Sequence, residues 1–288
     1  MKLFSYIYKN CDLLPHFFLH YDALGIKEYY FIVNTWDNEH IKRDVEDFCM
    51  EKKVVLRCIH QVFLSQEKDK ELENMKNEHS APDECIMVVD LDEFVDFKMS
   101  LNALILFQNL MGYDSVCGTF VDRIAQEGAL PPIDLYIPIE KQFPLGADLT
   151  KNILLGWIHK VVLMKARLEV KICCHSLEGK RWDGMMHAVI HHYKWNIEVL
   201  NRLEERVESF KLNNMGWWWQ SERFLEFYKE NQRINIDNPH LNTRVMASIR
   251  KSKLKDLTYV CSWIVIDIYK RIMAGILNVS VRAIEILI

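Results

Sequence analysis

The chain lacks much of what would place it in several protein classes. It has 288 residues but only 10 glycines and 7 prolines, with no internal repeat and no low-complexity tract. Such a composition excludes a disordered chain or a repeat array. No stretch reaches the roughly 20 uninterrupted apolar residues that a membrane-spanning helix needs. The start, Met1-Lys2-Leu3-Phe4-Ser5-Tyr6, meets Lys9-Asn10 before an apolar leader core can form. No signal peptide is therefore expected, and a cytoplasmic protein is, with peripheral contact to a membrane left open. Basic excess is missing too: the formal net charge is −4, which gives no field for wrapping nucleic acid. The 8 cysteines contain no Cys-x-x-Cys pair, and several, such as Cys85 and Cys117, lie in apolar runs. They read as small buried hydrophobes in a reducing compartment. Cys173-Cys174-His175 has no second ligand pair to complete a four-ligand zinc site.

Half of the residues are hydrophobic and 26% are charged, enough for a sizeable core. The first ~120 residues alternate short apolar runs with helical patterns, the signature of an α/β sheet. Strands are expected at Leu3–Tyr8, Tyr29–Val33, Val54–Cys58, Cys85–Val89 and Asp114–Phe120. The run at 85–89 is continuously apolar and reads as a central strand covered on both faces. Asp12, Asn38 and Ser100 are candidate caps for the helices that follow them, and Gly25 is a candidate stop. Phe48 falls on the apolar face of the second helix, with Ile41, Val45 and Cys49. Residues 65–79 are highly charged, with Leu72 and Met75 as the few apolar anchors, and read as a solvated helix or loop. Residues 128–156 hold four prolines and two more glycines after Gly128 and read as an irregular loop over a cleft. Lys160–Lys165 and Leu168–Cys173 are expected to be a pair of short strands, and Met185–Tyr193 one more. Residues 196–230 and 240–288 read as helical. In the last segment a polar stripe (Asp267, Lys270, Arg271, Asn278, Arg282, Glu285) marks a helix that packs on a partner or lies at a membrane surface.

The chemistry concentrates at Val88-Val89-Asp90-Leu91-Asp92-Glu93-Phe94. In an open α/β sheet, ligands bind beyond the carboxyl ends of the strands. Alternation along an extended segment would aim Asp90 and Asp92 to one side and Leu91 to the other. Two such carboxylates suit Mg2+ or Mn2+, which take one or two protein ligands and complete their shell with water and phosphate oxygens.

This motif resembles the Asp-x-Asp-Glu-Phe motif of family-2-like glycosyltransferases, a group related to the family-92 enzymes. Other segments agree in order. Lys9-Asn10, Leu13-Leu14-Pro15-His16-Phe17 and His20-Tyr21-x-Ala23-Leu24-Gly25 are similar to that family's opening strand and first helix. Phe120-Val121-Asp122-Arg123, with Glu127-Gly128 behind it, resembles the segment after its next strand. Lys160, His175 and His192-Tyr193-Lys194-Trp195 resemble its later basic and histidine-containing motifs. The resemblance spans about residues 3–210. It implies a GT-A fold: a Rossmann-like, mixed but mostly parallel central sheet flanked by helices, here with a C-terminal helical extension. It also implies a nucleotide-diphosphate sugar as donor, a divalent metal, and transfer to an acceptor hydroxyl. The glycosyltransferase domain would cover 1–212 and the extension 213–288.

On that resemblance, Asp90, Asp92 and His192 are the expected ligands of Mn2+ or Mg2+. Asn10, Asp37, Asp90, Arg123 and Lys160 are expected near the donor, and Asp122 is the expected catalytic base, with Glu127 and Asp183 as rivals. Of His187, His191 and His192, alternation lets at most one of the last two face the cleft. Lys194 can bind diphosphate, and Trp157 and Trp195 can stack on sugar or base. In Trp217-Trp218-Trp219 one ring is expected to anchor a helix and another to touch a neighbour or acceptor. The chain departs from the family at Asn10-Cys11-Asp12 and at Asn34-Thr35-Trp36-Asp37-Asn38, where a glycine-bearing turn is usual. Two alternatives stay open. One is a non-catalytic binding module with a decayed donor site, motivated by the Thr35-Trp36 turn. The other is a different metal-dependent nucleotide-using transferase, although Tyr8-Lys9-Asn10-Cys11-Asp12 lacks the glycine of a phosphate loop.

Overall fold

The computed structural model describes residues 1–246 apart from 37, 38, 51, 62, 172 and 179–182, with the backbone alone for 183–187. The elements in order are β1 (Lys2–Tyr8), α1 (Leu14–Leu24), β2 (Glu28–Asn34), α2 (His40–Cys49), β3 (Val54–Ile59), α3 (Ser65–His79) and β4 (Cys85–Val88). Then come β5 (Glu93–Asp96), α4 (Leu101–Met111), β6 (Ser115–Ile124), α5 (Ile139–Gln142), β7 (Leu145–Ala147), α6 (Leu149–Asn152) and β8 (His159–Lys165). The chain continues through β9 (Glu169–Lys171), β10 (Ser176–Glu178), β11 (Asp183–His192), α7 (Val199–Leu212), α8 (Trp218–Asn231), a short 3-10 turn and β12 (Arg244–Val245).

The main sheet runs β12-β7-β6-β8-β4-β1-β2-β3. Strands β1, β2, β3, β4, β6, β11 and β12 point one way, and β5, β7 and β8 point the other. This is the mixed, mostly parallel α/β sheet expected of a Rossmann-like fold. β4 is central, between β1 and β8. Its neighbour β1 shows the two-sided burial: Leu3 and Ile7 face a core built with α1, α2 and α4, while Phe4 and Tyr6 face one built with α3. Period-2 alternation with apolar residues on both sides is the pattern of a strand covered twice. A third core joins Trp195, Val199 and Leu203 to Phe224 of α8, and to Ile234 and Leu241 beyond it.

Local chemistry sets several boundaries. Gly25, at φ 92°, ends α1, and its N–H reaches the carbonyl of Asp22. Ser100 caps α4 through its hydroxyl, as expected. Asp12 does not cap α1: the cap position is Leu13, and the Asp12 N–H is taken by the side chain of Asn10 at 2.7 Å. Asn38 lies outside the described residues, as do 247–288 with their polar stripe. Phe48 is exposed, so only Ile41, Val45 and Cys49 anchor α2.

Residues 65–79 form α3, and it is not solvated all round: Lys68 and Lys76 are buried beside Leu72 and Met75. β9 pairs with β10, not with β8. The proline-rich stretch is ordered by β7, which joins the sheet edge, and by two single-turn helices. None of the described cysteines is in a disulfide. No described helix is long and apolar enough to cross a membrane.

Gly128 closes the turn after β6. Its φ is 71°, its carbonyl accepts from the N–H of Ile234, and a Cβ there would stand 1.9 Å from the Ile234 carbonyl oxygen. Gly128→Ala therefore combines left-handed strain with a backbone clash. It should lower the unfolding free energy by about 3 kcal/mol in a urea titration. A change below ~0.5 kcal/mol would show that this turn is not fixed to the 234 segment.

Candidate functional site

The acidic motif leaves the sheet at the carboxyl end of β4. Alternation does not continue through it: residues 90–93 make a turn, closed by the Glu93 N–H to the Asp90 carbonyl at 3.0 Å. The turn sends the two aspartates apart. Asp90 turns toward basic residues on α3 and β8, and Asp92 turns toward β11.

The Asp90 side is a closed set of charges. Lys160 of β8 is almost fully buried, and its Nζ donates to Asp90 Oδ2 at 2.8 Å and to both Glu93 oxygens at 2.7 and 2.8 Å. Lys68 of α3 donates to Asp90 Oδ1 at 2.5 Å. Glu93 also accepts the Asp90 N–H at 3.0 Å. Burial alone would raise the Asp90 carboxyl, but Lys160 and Lys68 outweigh it and hold the group below the usual carboxylate range. Glu93 goes the other way: burial raises it, Lys160 only partly offsets that, and Asp90 and Asp92 push it further up. Lys160 stays charged, since its two carboxylates more than offset burial. Both oxygens of Asp90 and the ammonium of Lys160 are thus occupied within the protein.

Asp92, by contrast, has no lysine partner among the described residues. β5 folds back antiparallel to β11, which sets Glu93 opposite His192 and lets the Tyr193 N–H bond the Asp92 carbonyl at 2.7 Å. His192 Nε2 lies 3.7 Å from Asp92 Oδ2. Its Nδ1 faces Asp122 Oδ1 at 3.0 Å, and its ring stacks on Phe120 at 4.8 Å. Burial disfavours protonated His192, but Asp92 and Asp122 reverse that and raise it above the ordinary histidine value.

Asp122, on β6, lies behind the histidine. It is 2% exposed and accepts from the Thr150 N–H (2.6 Å), the Thr150 hydroxyl (2.8 Å) and Trp195 Nε1 (2.9 Å) as well as from His192. Burial raises its carboxyl, and these donors with the His192 charge bring it below the usual value. Asp122 is thus held by four donors, three on Oδ1 and one on Oδ2.

Arg123 is also interior. It is 0% exposed, donates from Nε and Nη2 to the Phe143 carbonyl, and donates from Nη1 to His191 Nδ1 at 3.1 Å. Asn10 stands at the tip of β1 and bonds Asp12 at 3.0 Å. Asp37 lies outside the described residues, as do the side chains of Asp183 and His187; Glu127 is exposed on the turn after β6. His175 donates from Nδ1 to the His159 carbonyl, and burial followed by Lys160 pushes it down to about 4. Trp195 is wholly buried, whereas Trp157 is 53% exposed and meets His175 and Trp217 at ring distances of 5.7 and 6.3 Å. Lys194 forms no ion pair among the described residues; its ammonium sits 5.4 Å over the Trp195 ring. Burial and the nearby Arg206 and Arg202 charges push it down to about 7.

Four residues near the site escaped the sequence reading: Lys68, Thr150, Arg202 and Arg206. Lys68 carried a signal, since it precedes Leu72 by four residues and so shares the apolar face of α3. Arg206 carried the same signal, three residues after Leu203 and four before Phe210. Thr150 carried none, because only the fold brings it to Asp122. Among the described residues no group of three His, Cys, Asp or Glu is arranged to hold a metal unaided.

No protein-family model matches the chain, and no curated protein matches it. Among solved structures it is similar to a 4-diphosphocytidyl-2C-methyl-D-erythritol synthase from Anaerococcus prevotii, at 7% identity and a TM-score of 0.31, over 58% of this chain and 71% of that one. It is also similar to HddC from Yersinia pseudotuberculosis, at 9% identity and a TM-score of 0.30, over 46% of this chain and 63% of that one. Likeness at this level carries no functional argument, so the function rests on the residues themselves.

Lys160→Met would leave Glu93 and half of Asp90 without a counter-charge in a buried setting. The unfolding free energy should fall by about 3–5 kcal/mol in a denaturant titration. A loss under ~1 kcal/mol, the scale of a surface pair, would mean that Lys160 is not the organiser of this turn.

Proposed function

We propose that this protein is a metal-dependent glycosyltransferase of the GT-A type, moving a sugar from a nucleotide-diphosphate sugar to an acceptor hydroxyl. One observation carries the reading most: Asp92 and His192 face each other beyond the carboxyl ends of parallel strands, and Asp122 fixes His192 from behind. Metal-binding histidines commonly give their second ring nitrogen to a carboxylate, which sets the tautomer and orients the ring. With Nδ1 engaged by Asp122, Nε2 is the free nitrogen, and it points at the one motif carboxylate that no lysine occupies.

This donor set fits Mn2+ or Mg2+. Such ions are satisfied by one or two protein ligands when phosphate oxygens and water fill the rest. Asp92 and His192 would hold the ion, and it would supply Lewis-acid neutralisation of the diphosphate leaving group. In the transfer the bond from the anomeric carbon to the diphosphate breaks, the bond to the acceptor oxygen forms, and the hydroxyl proton is released. The protein's own part is positioning. Lys160, Lys68 and Glu93 fix the turn that aims Asp92. Asp122 and Trp195 fix His192. At the tips of β1 and β2, Asn10 and the half-exposed Trp36, whose ring meets His60 at 5.4 Å, border the side on which the nucleoside would lie.

In this reading Asp90 and Lys160 support the site from inside, Arg123 braces β6, and Asp122 is a positioning residue rather than the base. A thermal-shift screen of nucleotide-diphosphate sugars with and without Mn2+ tests it, because a ligand stabilises by RT ln(1 + [L]/Kd). At least one donor should stabilise only with metal present. Asp92→Asn and His192→Gln should each abolish that metal-dependent gain, and sugar transfer with it, while leaving the fold intact. Metal-dependent stabilisation and transfer that survive both substitutions would refute the assignment.

A further inference from the structure

Resting on that reading, the geometry points to Lys194, Arg202 and Arg206 as the site that takes the anionic diphosphate of the donor, a site built from α7 and not from the acidic motif.

Position comes first. Lys194 follows His192 by two residues where β11 leaves the sheet, so it emerges beside the Asp92–His192 pair. Arg202 binds the Lys194 carbonyl through Nη2 at 3.0 Å and thereby docks the first half of α7 against that exit. Arg206 is one helical turn further on, on the same face, with its guanidinium 4.8 Å over the Phe210 ring. The helix is also held to the strand tips by Glu205, which pairs with Lys9 just beyond β1 at 2.6 Å.

Charge comes second. None of Lys194, Arg202 and Arg206 forms an ion pair among the described residues. Of the carboxylates nearby, Glu205 pairs with Lys9, Asp122 is held by His192, Thr150 and Trp195, and Asp92 faces His192; Glu198, four residues before Arg202, forms no ion pair with it among the described residues. The Nε donors of Arg202 and Arg206 are buried and have no acceptor among the described residues. An arginine pair four residues apart on a helix is mutually repulsive, and a buried N–H left unmade costs free energy as well. Two guanidiniums with unused donors, beside an ammonium that a bound anion would hold in its charged form, call for a ligand with several charged acceptor oxygens. A diphosphate is such a ligand, and the planar guanidinium fork matches phosphate oxygens two at a time. The lysines of the acidic turn do not compete for it, since Lys160 and Lys68 are spent on Asp90 and Glu93.

The test is calorimetric titration with inorganic pyrophosphate in chelator, and with UDP, GDP and ADP in Mn2+. The proteins are wild type, Arg206→Gln, Lys194→Gln, Arg206→Lys and Asp92→Asn. Arg206 is preferred to Arg202 because it makes no backbone bond, so its loss should leave the melting curve intact. Pyrophosphate should bind wild type without metal. Arg206→Gln and Lys194→Gln should each weaken it roughly ten- to hundredfold, the scale of a lost hydrogen bond to a charged group, and Arg206→Lys should recover part of the loss. Asp92→Asn should leave pyrophosphate binding in chelator unchanged or tighter. Equal affinity in wild type and both glutamine variants would overturn the site. So would metal-dependent nucleotide binding that is lost in Asp92→Asn yet indifferent to Arg206 and Lys194, a result that keeps the metal reading and removes this one. Arginine-dependent pyrophosphate binding with no transfer from any nucleotide sugar would do the reverse: the anion site stands and the glycosyltransferase reading falls.

Discussion

The site depends on one buried ammonium. Lys160 lies where β8, the turn after β4 and β5 converge, and it bonds Asp90 and both oxygens of Glu93. Without it, two carboxylates would be forced together in the protein interior, where an unpaired charge is costly. With Lys68 on the second oxygen of Asp90, two cations balance two anions. That balance has a geometric result. A motif that reads as two equivalent acids is divided into a lysine-paired residue, Asp90, and Asp92, which no described lysine pairs. Only Asp92 reaches His192.

A second layer repeats the logic without lysine. Asp122 is held by a threonine, a tryptophan and His192, so the histidine ring is fixed from below and stacked on Phe120 from one side. Preorganisation of this sort matters for a site that must meet charge as it develops, because the cost of orienting dipoles is met on folding and not during the reaction. The cations of α7 fit the same division. Charges paired within the protein build the frame, and on the reading proposed above the cations of α7 are left for ligand.

Much of this architecture was legible in the sequence. Apolar runs at 3–8, 29–33, 54–58 and 85–89 located the parallel strands, and Ser100 and Gly25 marked helix ends, because these signals are local. Asp90 and Asp92 were placed at a strand end correctly and on a common side wrongly. Alternation holds only while the chain stays extended, and the Glu93-to-Asp90 bond ends the extension. α3 was harder. Hydrophobic periodicity treats lysine as a solvent residue, yet Lys68 and Lys76 are buried because each has a partner waiting. Asp122 and Arg123 drew attention for their place after a strand. Their partners, Thr150 and Phe143, arrive from the proline-rich segment, and no spacing rule predicts that meeting.

The central claim is that Asp92 and His192 together hold a divalent ion with the donor's diphosphate. Pulsed electron paramagnetic resonance of Mn2+ tests this most directly, in the presence of the nucleoside diphosphate that binds best. Modulation from an imidazole nitrogen is predicted in the wild-type complex and should vanish in His192→Gln. An Mn2+–nucleotide complex without nitrogen modulation, or with modulation that persists in His192→Gln, would contradict the account.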